Sequence, residues 1–152
     1  MTRIYLAASW AAKDHMRWIA RQLISRGHKI TSSWIYSNHT TGIQARDVED
    51  NLWPSSEGAL ENANNIMASD LVAVFTDIPS TTGGYHVEFG IALGLRKAVV
   101  VVGNRNNIFQ AIPNVGHFDN ETDFLKWTET RNAPKARTGK NPNAVTEPGG
   151  SS

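Results

Sequence analysis

The chain has 152 residues, a net charge of +1 and no cysteine, so disulfides and thiolate zinc sites are excluded. That length suits one compact domain, and 40% hydrophobic with 19% charged residues is ordinary for a soluble globular chain. No apolar run approaches the roughly 18 residues of a membrane span, and the opening MTRIYLAASW runs into a strand pattern rather than a signal peptide, so a cytoplasmic setting is expected.

Arg3–Ala8 (RIYLAA) reads as a first strand. Met16, Ile19, Ala20, Leu23 and Ile24 then recur at helical spacing, and Gly27 ends that helix in the C′ manner. His28–Ile35 (HKITSSWI) reads as a second strand, followed by a long irregular stretch over 36–56. Ser55 and Ser56 open a helix whose early acids suit its dipole. DLVAVF and KAVVVVG are near-continuous apolar runs, the mark of central parallel strands buried on both faces. Between them the loop TDIPSTTGG leads into a helix from about Tyr85 to Leu95. NIFQAI and ETDFLKWTE read as short helices.

The domain is expected over 1–130, with 131–152 a flexible basic tail or linker. That tail holds Arg131, Lys135, Arg137 and Lys140 against Glu147 alone, so the first 130 residues carry 11 basic and 13 acidic side chains, a net of −2. Such a body has no nucleic-acid footprint. Strands alternating with helices imply an α/β fold with a parallel sheet and right-handed crossovers. Ligands of such sheets bind beyond the carboxyl ends of the strands. Ser9, Trp10, the loop 76–85 and Gly103–Asn107 should therefore line the binding edge, with Trp34 at the end of the second strand.

Several site types are absent. There is no G-x-G-x-x-G after the first strand, no phosphate-binding G-x-x-x-x-G-K-[ST] loop and no G-x-S-x-G elbow. The histidines are scattered without metal-ligand spacing. What stands out is GGYHVEFGIALG over 83–94, which puts Glu88 inside an apolar helix just after a glycine pair. Two readings fit the spacing. Glu88 complements the helix N-terminus from its first turn, or it is a carboxylate held ionised at the ligand edge, suited to nucleophilic attack.

RIYLAASW, ITSSWI, ASDLVAVFTD, GGYHVEFGIALGLRKAVVVVG and NIFQAIPNVGHF, in that order over about residues 3–118, resemble the nucleoside 2-deoxyribosyltransferase superfamily. That superfamily includes deoxyribonucleoside 5′-monophosphate N-glycosidases. The resemblance implies a flavodoxin-like open, mainly parallel sheet with helices on both faces. It implies an enzyme in which Glu88 attacks the anomeric carbon of a deoxyribose, with Tyr5 beside it. It implies no metal or organic cofactor, a small-molecule nucleoside or nucleotide as partner, and a homo-oligomer; the lack of a long apolar run adds that no membrane partner is expected.

Two positions depart from the transferase pattern. Where that pattern has an aspartate that helps protonate the leaving base, this chain has Asn62, an amide that cannot donate a proton at neutral pH. Where it has an aspartate for the sugar 5′-hydroxyl, this chain has Thr82 beside Gly83 and Gly84. A hydroxyl among glycine N–H groups at a helix start would accept a phosphate. Hydrolysis of a deoxynucleoside 5′-monophosphate is therefore the leading expectation. Base exchange between deoxynucleosides and a catalytically weak nucleotide sensor are the alternatives. Ser9, Trp10 and His86 complete the expected substrate contacts.

Overall fold

The computed structural model describes residues 1–37, 48–80 and 82–130, with Asn51 and Thr130 described in backbone only. The expected tail 131–152 lies outside these residues, as does most of the first half of the long stretch 36–56.

Three five-residue strands form the middle of the sheet. They are β1 (Arg3–Ala7), β3 (Leu71–Phe75) and β4 (Ala98–Val102), and in β3 and β4 every residue is buried. The flanking strands are short: β2 is Lys29–Ile30 and β5 is Gly116–Phe118. All pairings are parallel, in the order β2-β1-β3-β4-β5, with Tyr5 beside Val72 and Val72 beside Val99. This is the doubly wound flavodoxin-like order, with its switch point between β1 and β3.

The helices are α1 (Lys13–Ser25), α2 (Leu52–Met67), α3 (Gly84–Gly94) and α4 (Glu121–Thr130). α1 packs with α4, and α2 with α3. Right-handed crossovers running outward in opposite directions from the switch point put these two pairs on opposite faces. α1 buries Met16, Ile19, Ala20 and Leu23, while Ile24 of the same periodic stripe is exposed. Gly27, at φ 85°, ends it in the left-handed conformation expected of that glycine.

Polar side chains close the amino edge of the sheet. Asp70 accepts from Arg3 N at 2.9 Å and from its guanidinium at 2.9 Å, which holds the Asp70 carboxyl below the usual range. Lys97 Nζ donates to Met67 O and Ser69 O at the end of α2.

Three elements differ from the sequence expectation. The second strand is two residues long rather than running from His28 to Ile35. Beyond Thr31, whose N–H still donates to Ile4 O at 2.9 Å, side chains take over the pairing with β1. Ser32 Oγ accepts from Leu6 N at 3.1 Å, and Trp34 Nε1 donates to Leu6 O at 2.8 Å. The chain then coils into a 3-10 turn at Ser33–Tyr36. The helix expected from Ser55 begins at Leu52, after a 3-10 turn at Glu49–Asn51. Pro54 is no obstacle, because first-turn N–H groups have no intrahelical acceptor. The edge strand β5 was not expected; three residues are too few for a period to show. NIFQAI forms a 3-10 turn at Ile108–Ala111. No helix among the described residues is long and apolar enough to cross a membrane.

Candidate active site

The loop before α3 sets up the site. Gly83 adopts φ 76°, a left-handed conformation that glycine takes without strain, and Ser80 Oγ accepts from its N–H at 2.9 Å. No side chain caps the start of α3. Thr82 is exposed beside Gly84, and Thr81 lies outside the described residues. A small acceptor group could approach this loop.

Glu88 lies in the second turn of α3, not the first. It is therefore too far along the helix for the terminal N–H groups to hold it as an anion. Burial governs it instead. Its Oε2 is shut from solvent with no hydrogen-bond partner among the described residues. Desolvation raises its pKa from 4.5 to about 8, against a smaller lowering by the Tyr5 hydroxyl. The expectation of a carboxylate kept ionised by the helix start is corrected: at neutral pH the unliganded site favours the protonated acid.

Tyr5 is wholly buried on β1. Burial first, then the proximity of Glu88 and Glu61, push its phenol far above the usual range. The phenol is close enough to Glu88 to interact, yet Tyr5 Oη makes no hydrogen bond of regular geometry. Asn62, from α2, donates Nδ2–H to Glu88 Oε1 at 3.3 Å. The three residues proposed from sequence as a catalytic group therefore meet, brought together from β1, α2 and α3. Asn62 occupies one carboxyl oxygen and leaves the other unbonded.

The remaining sequence candidates bond elsewhere among the described residues. Ser9 is buried, its Oγ accepting from Ala11 N at 3.4 Å. Trp10 is partly buried; its ring centroid lies 6.1 Å from that of Trp34, and Lys13 Nζ stands 4.3 Å from its ring. Trp34, expected at the binding edge, is a core residue hydrogen-bonded to β1. His86 Nδ1 meets Asn107 Nδ2 at 3.2 Å, and Asn106 Nδ2 donates to Tyr85 Oη at 2.9 Å. The loop after β4 is thereby tied to the start of α3, as its place beyond that strand suggested.

Sequence reading did not find the chain of bonds from Asn65 through Ser33 to Glu61. Asn65 Nδ2 donates to Ser33 Oγ at 2.7 Å, and Ser33 Oγ donates to Glu61 Oε1 at 2.5 Å. Its only sequence signal was Glu61 next to Asn62. No group of three or more potential metal ligands occurs among the described residues.

No protein-family model matches this sequence, and neither does any curated protein. Solved structures do. The CMP N-glycosidase BcmB of Clostridium botulinum superposes at a TM-score of 0.51 and 19% identity, covering 82% of this chain and 96% of its own. A 2-deoxyribosyltransferase of Bacillus psychrosaccharolyticus gives 0.57 and 15%, covering 89% and 98%. A conserved protein of Enterococcus faecalis V583 gives 0.59 and 17%, covering 87% and 99%. This chain has the 2-deoxyribosyltransferase fold. The neighbours are covered over nearly their whole lengths, so the likeness is one of whole folds rather than of a fragment.

Proposed function

We propose that this protein hydrolyses the N-glycosidic bond of 2′-deoxynucleoside 5′-monophosphates, with Glu88 as nucleophile. The observation that carries the reading is the meeting of Glu88, Tyr5 and Asn62, with a buried carboxyl oxygen left unbonded. Two structural neighbours, a CMP N-glycosidase and a 2-deoxyribosyltransferase, carry names for chemistry at the same kind of bond.

In the first step Glu88 Oε2 bonds to C1′ as the C1′–N bond breaks, its electron pair leaving with the base. The base gains a proton, and Glu88 must lose one. Asn62 has none to give at neutral pH, and Tyr5 holds its own too tightly. The Glu88 proton passing to the base balances the step without a separate acid. Water then cleaves the glycosyl ester, with retention at C1′. Thr82, Gly83 and Gly84 receive the 5′-phosphate, Ser9 and Trp10 the sugar and base side, and His86 is held near by Asn107.

Base exchange, in which a second base replaces water, is the other reading. Asn62 also supports a nucleotide sensor without turnover. We further propose a homo-oligomer: α2 buries only Ile66 and leaves Leu52, Trp53 and Leu60 exposed, and α3 exposes Val87.

The test is chromatography of free base released from deoxynucleosides and their 5′-monophosphates, with and without an acceptor base. Release from monophosphates without acceptor, lost in Glu88→Ala, is the expected result. Exchange with nucleosides only would replace this reading by the transferase. Saturable binding without release would replace it by the sensor.

A further inference from the structure

Glu61 and Asn62 are consecutive on α2, yet their side chains serve opposite neighbours. Asn62 reaches Glu88 on α3. Glu61 reaches Ser33, just past β2. In the sheet β1 runs between β2 and β3. The two residues therefore bracket the space above β1, the strand that carries Tyr5. Glu61 is exposed and Glu88 Oε2 is buried, so the first lies at the rim of the site and the second at its floor. The influence of Glu61 on the Tyr5 phenol fits that placement.

The direction of the bonds fixes what Glu61 can do. Ser33 Oγ accepts from Asn65 Nδ2 at 2.7 Å, and its single proton goes to Glu61 Oε1 at 2.5 Å. With the hydroxyl as donor, the Glu61 carboxyl oxygen is the acceptor of that bond. Among the described residues no cation pairs with Glu61, and its Oε2 makes no hydrogen bond. The proposed chemistry does not use it. At the rim of a nucleotide site, an acceptor oxygen that none of the described residues pairs is placed to take an N–H group of the ligand in place of water.

We propose that Glu61 receives the amino edge of the nucleobase and selects cytosine and adenine over uracil, thymine and hypoxanthine. This rests on the nucleotide reading of the site, though not on turnover there. A base with an exocyclic amino group donates to the free Glu61 oxygen. A base with a carbonyl at that position sets oxygen against oxygen and leaves both without a proton. Where the bound base shuts water from that oxygen, discrimination by the unpaired polar group exceeds discrimination by shape, so at least about tenfold is expected.

The experiment measures kcat/KM for dCMP against dUMP and for dAMP against dIMP, and by calorimetry the Kd of each. It uses the full-length protein and Glu61→Gln. The native protein should favour the amino-bearing partner by at least about tenfold in each pair. The Gln amide can donate to a carbonyl, so the variant should lose that preference. Ser33→Ala, which releases Glu61 without removing its charge, should fall between. A ratio unchanged in Glu61→Gln, or a native preference for the carbonyl bases, would overturn the assignment. If no base is released but the Kd ratios behave as stated, the enzyme reading fails and the Glu61 assignment stands. If neither turnover nor binding of any nucleotide is found, both fail.

Discussion

The Asn62 amide donates to Glu88 Oε1 at 3.3 Å, while among the described residues the buried Oε2 makes no hydrogen bond of regular geometry. One hydrogen bond thus distinguishes two otherwise equivalent oxygens. It orients the carboxyl so that its unbonded oxygen is the one available to attack. Asn62 acts here as a positioning residue. Asn62→Ala removes the orienting bond, worth about 1–3 kcal/mol in a buried setting. A fall in kcat of about ten- to a hundredfold is expected, with KM changed little. Steady-state kinetics checks this. A rise in KM at constant kcat would mean that Asn62 binds substrate instead.

Burial of Glu88 has a consequence for stability that needs no substrate. In the unfolded chain Glu88 releases its proton near 4.5; in the folded protein it keeps it to about 8. Between those values the native state binds more protons, so its stability falls as pH rises and levels off above about 8. The full effect is on the order of a few kcal/mol. Glu88→Gln removes it. Urea midpoints at pH 5 and pH 8.5 should therefore fall further apart in the native protein than in the variant. Parallel pH dependence in the two would show that Glu88 ionises freely in the fold.

Much of this arrangement was legible in the sequence, for specific reasons. LVAVF and AVVVV are apolar at every position, and only a central strand covered on both faces needs that. The glycine pair before Glu88 marked the turn into α3, and Gly83 does adopt a left-handed conformation. The ends of elements were harder. β2 stops after two residues because Ser32 and Trp34 side chains replace its ladder, an exchange invisible to any period. Glu88 was read one turn too near the helix start. Its protonation therefore could not be foreseen, because it depends on what α2 and β1 place around it. The pairing of Ser33 with Glu61 spans 28 residues and leaves no local trace.

The end of β4 is tightly built against the end of β3. Gly103 has φ 107°, and a Cβ there would lie 2.4 Å from Asp77 Oδ1 and 2.8 Å from Thr76 Oγ1. Thr76 Oγ1 also donates to Asn104 O at 2.6 Å. Gly103→Ala should cost about 1–3 kcal/mol, from backbone strain and displaced side chains. Chemical denaturation measures this directly. Unchanged stability would mean that this edge relaxes freely, and with it the loop that carries Asn106 and Asn107.

Thr82 separates the two substrate classes. Thr82→Asp puts a carboxylate beside Gly83 and Gly84, where the proposed phosphate sits. Like charges in a partly desolvated site repel. KM for a deoxynucleoside 5′-monophosphate should rise at least about tenfold. The matching nucleoside, which can donate its 5′-hydroxyl to the new carboxylate, should lose nothing. Equal losses on both would place the phosphate elsewhere.

The pH dependence of turnover tests where the leaving base finds its proton. The kcat/KM profile reports ionisations of the free enzyme. If the Glu88 proton is delivered to the base, the protonated form is the competent one. The rate should then decline above about pH 8, where Glu88 loses that proton. If a separate acid or water served the base, Glu88 would have to ionise first, and the rate would rise to about pH 8. A substrate whose leaving group needs no protonation, such as a 4-nitrophenyl 2-deoxyriboside 5-phosphate, sharpens the contrast. For it the ionised nucleophile suffices, and kcat/KM should rise to about pH 8 and hold there, where the natural nucleotide declines. Profiles of the same sense for both substrates would remove Glu88 as the source of the proton.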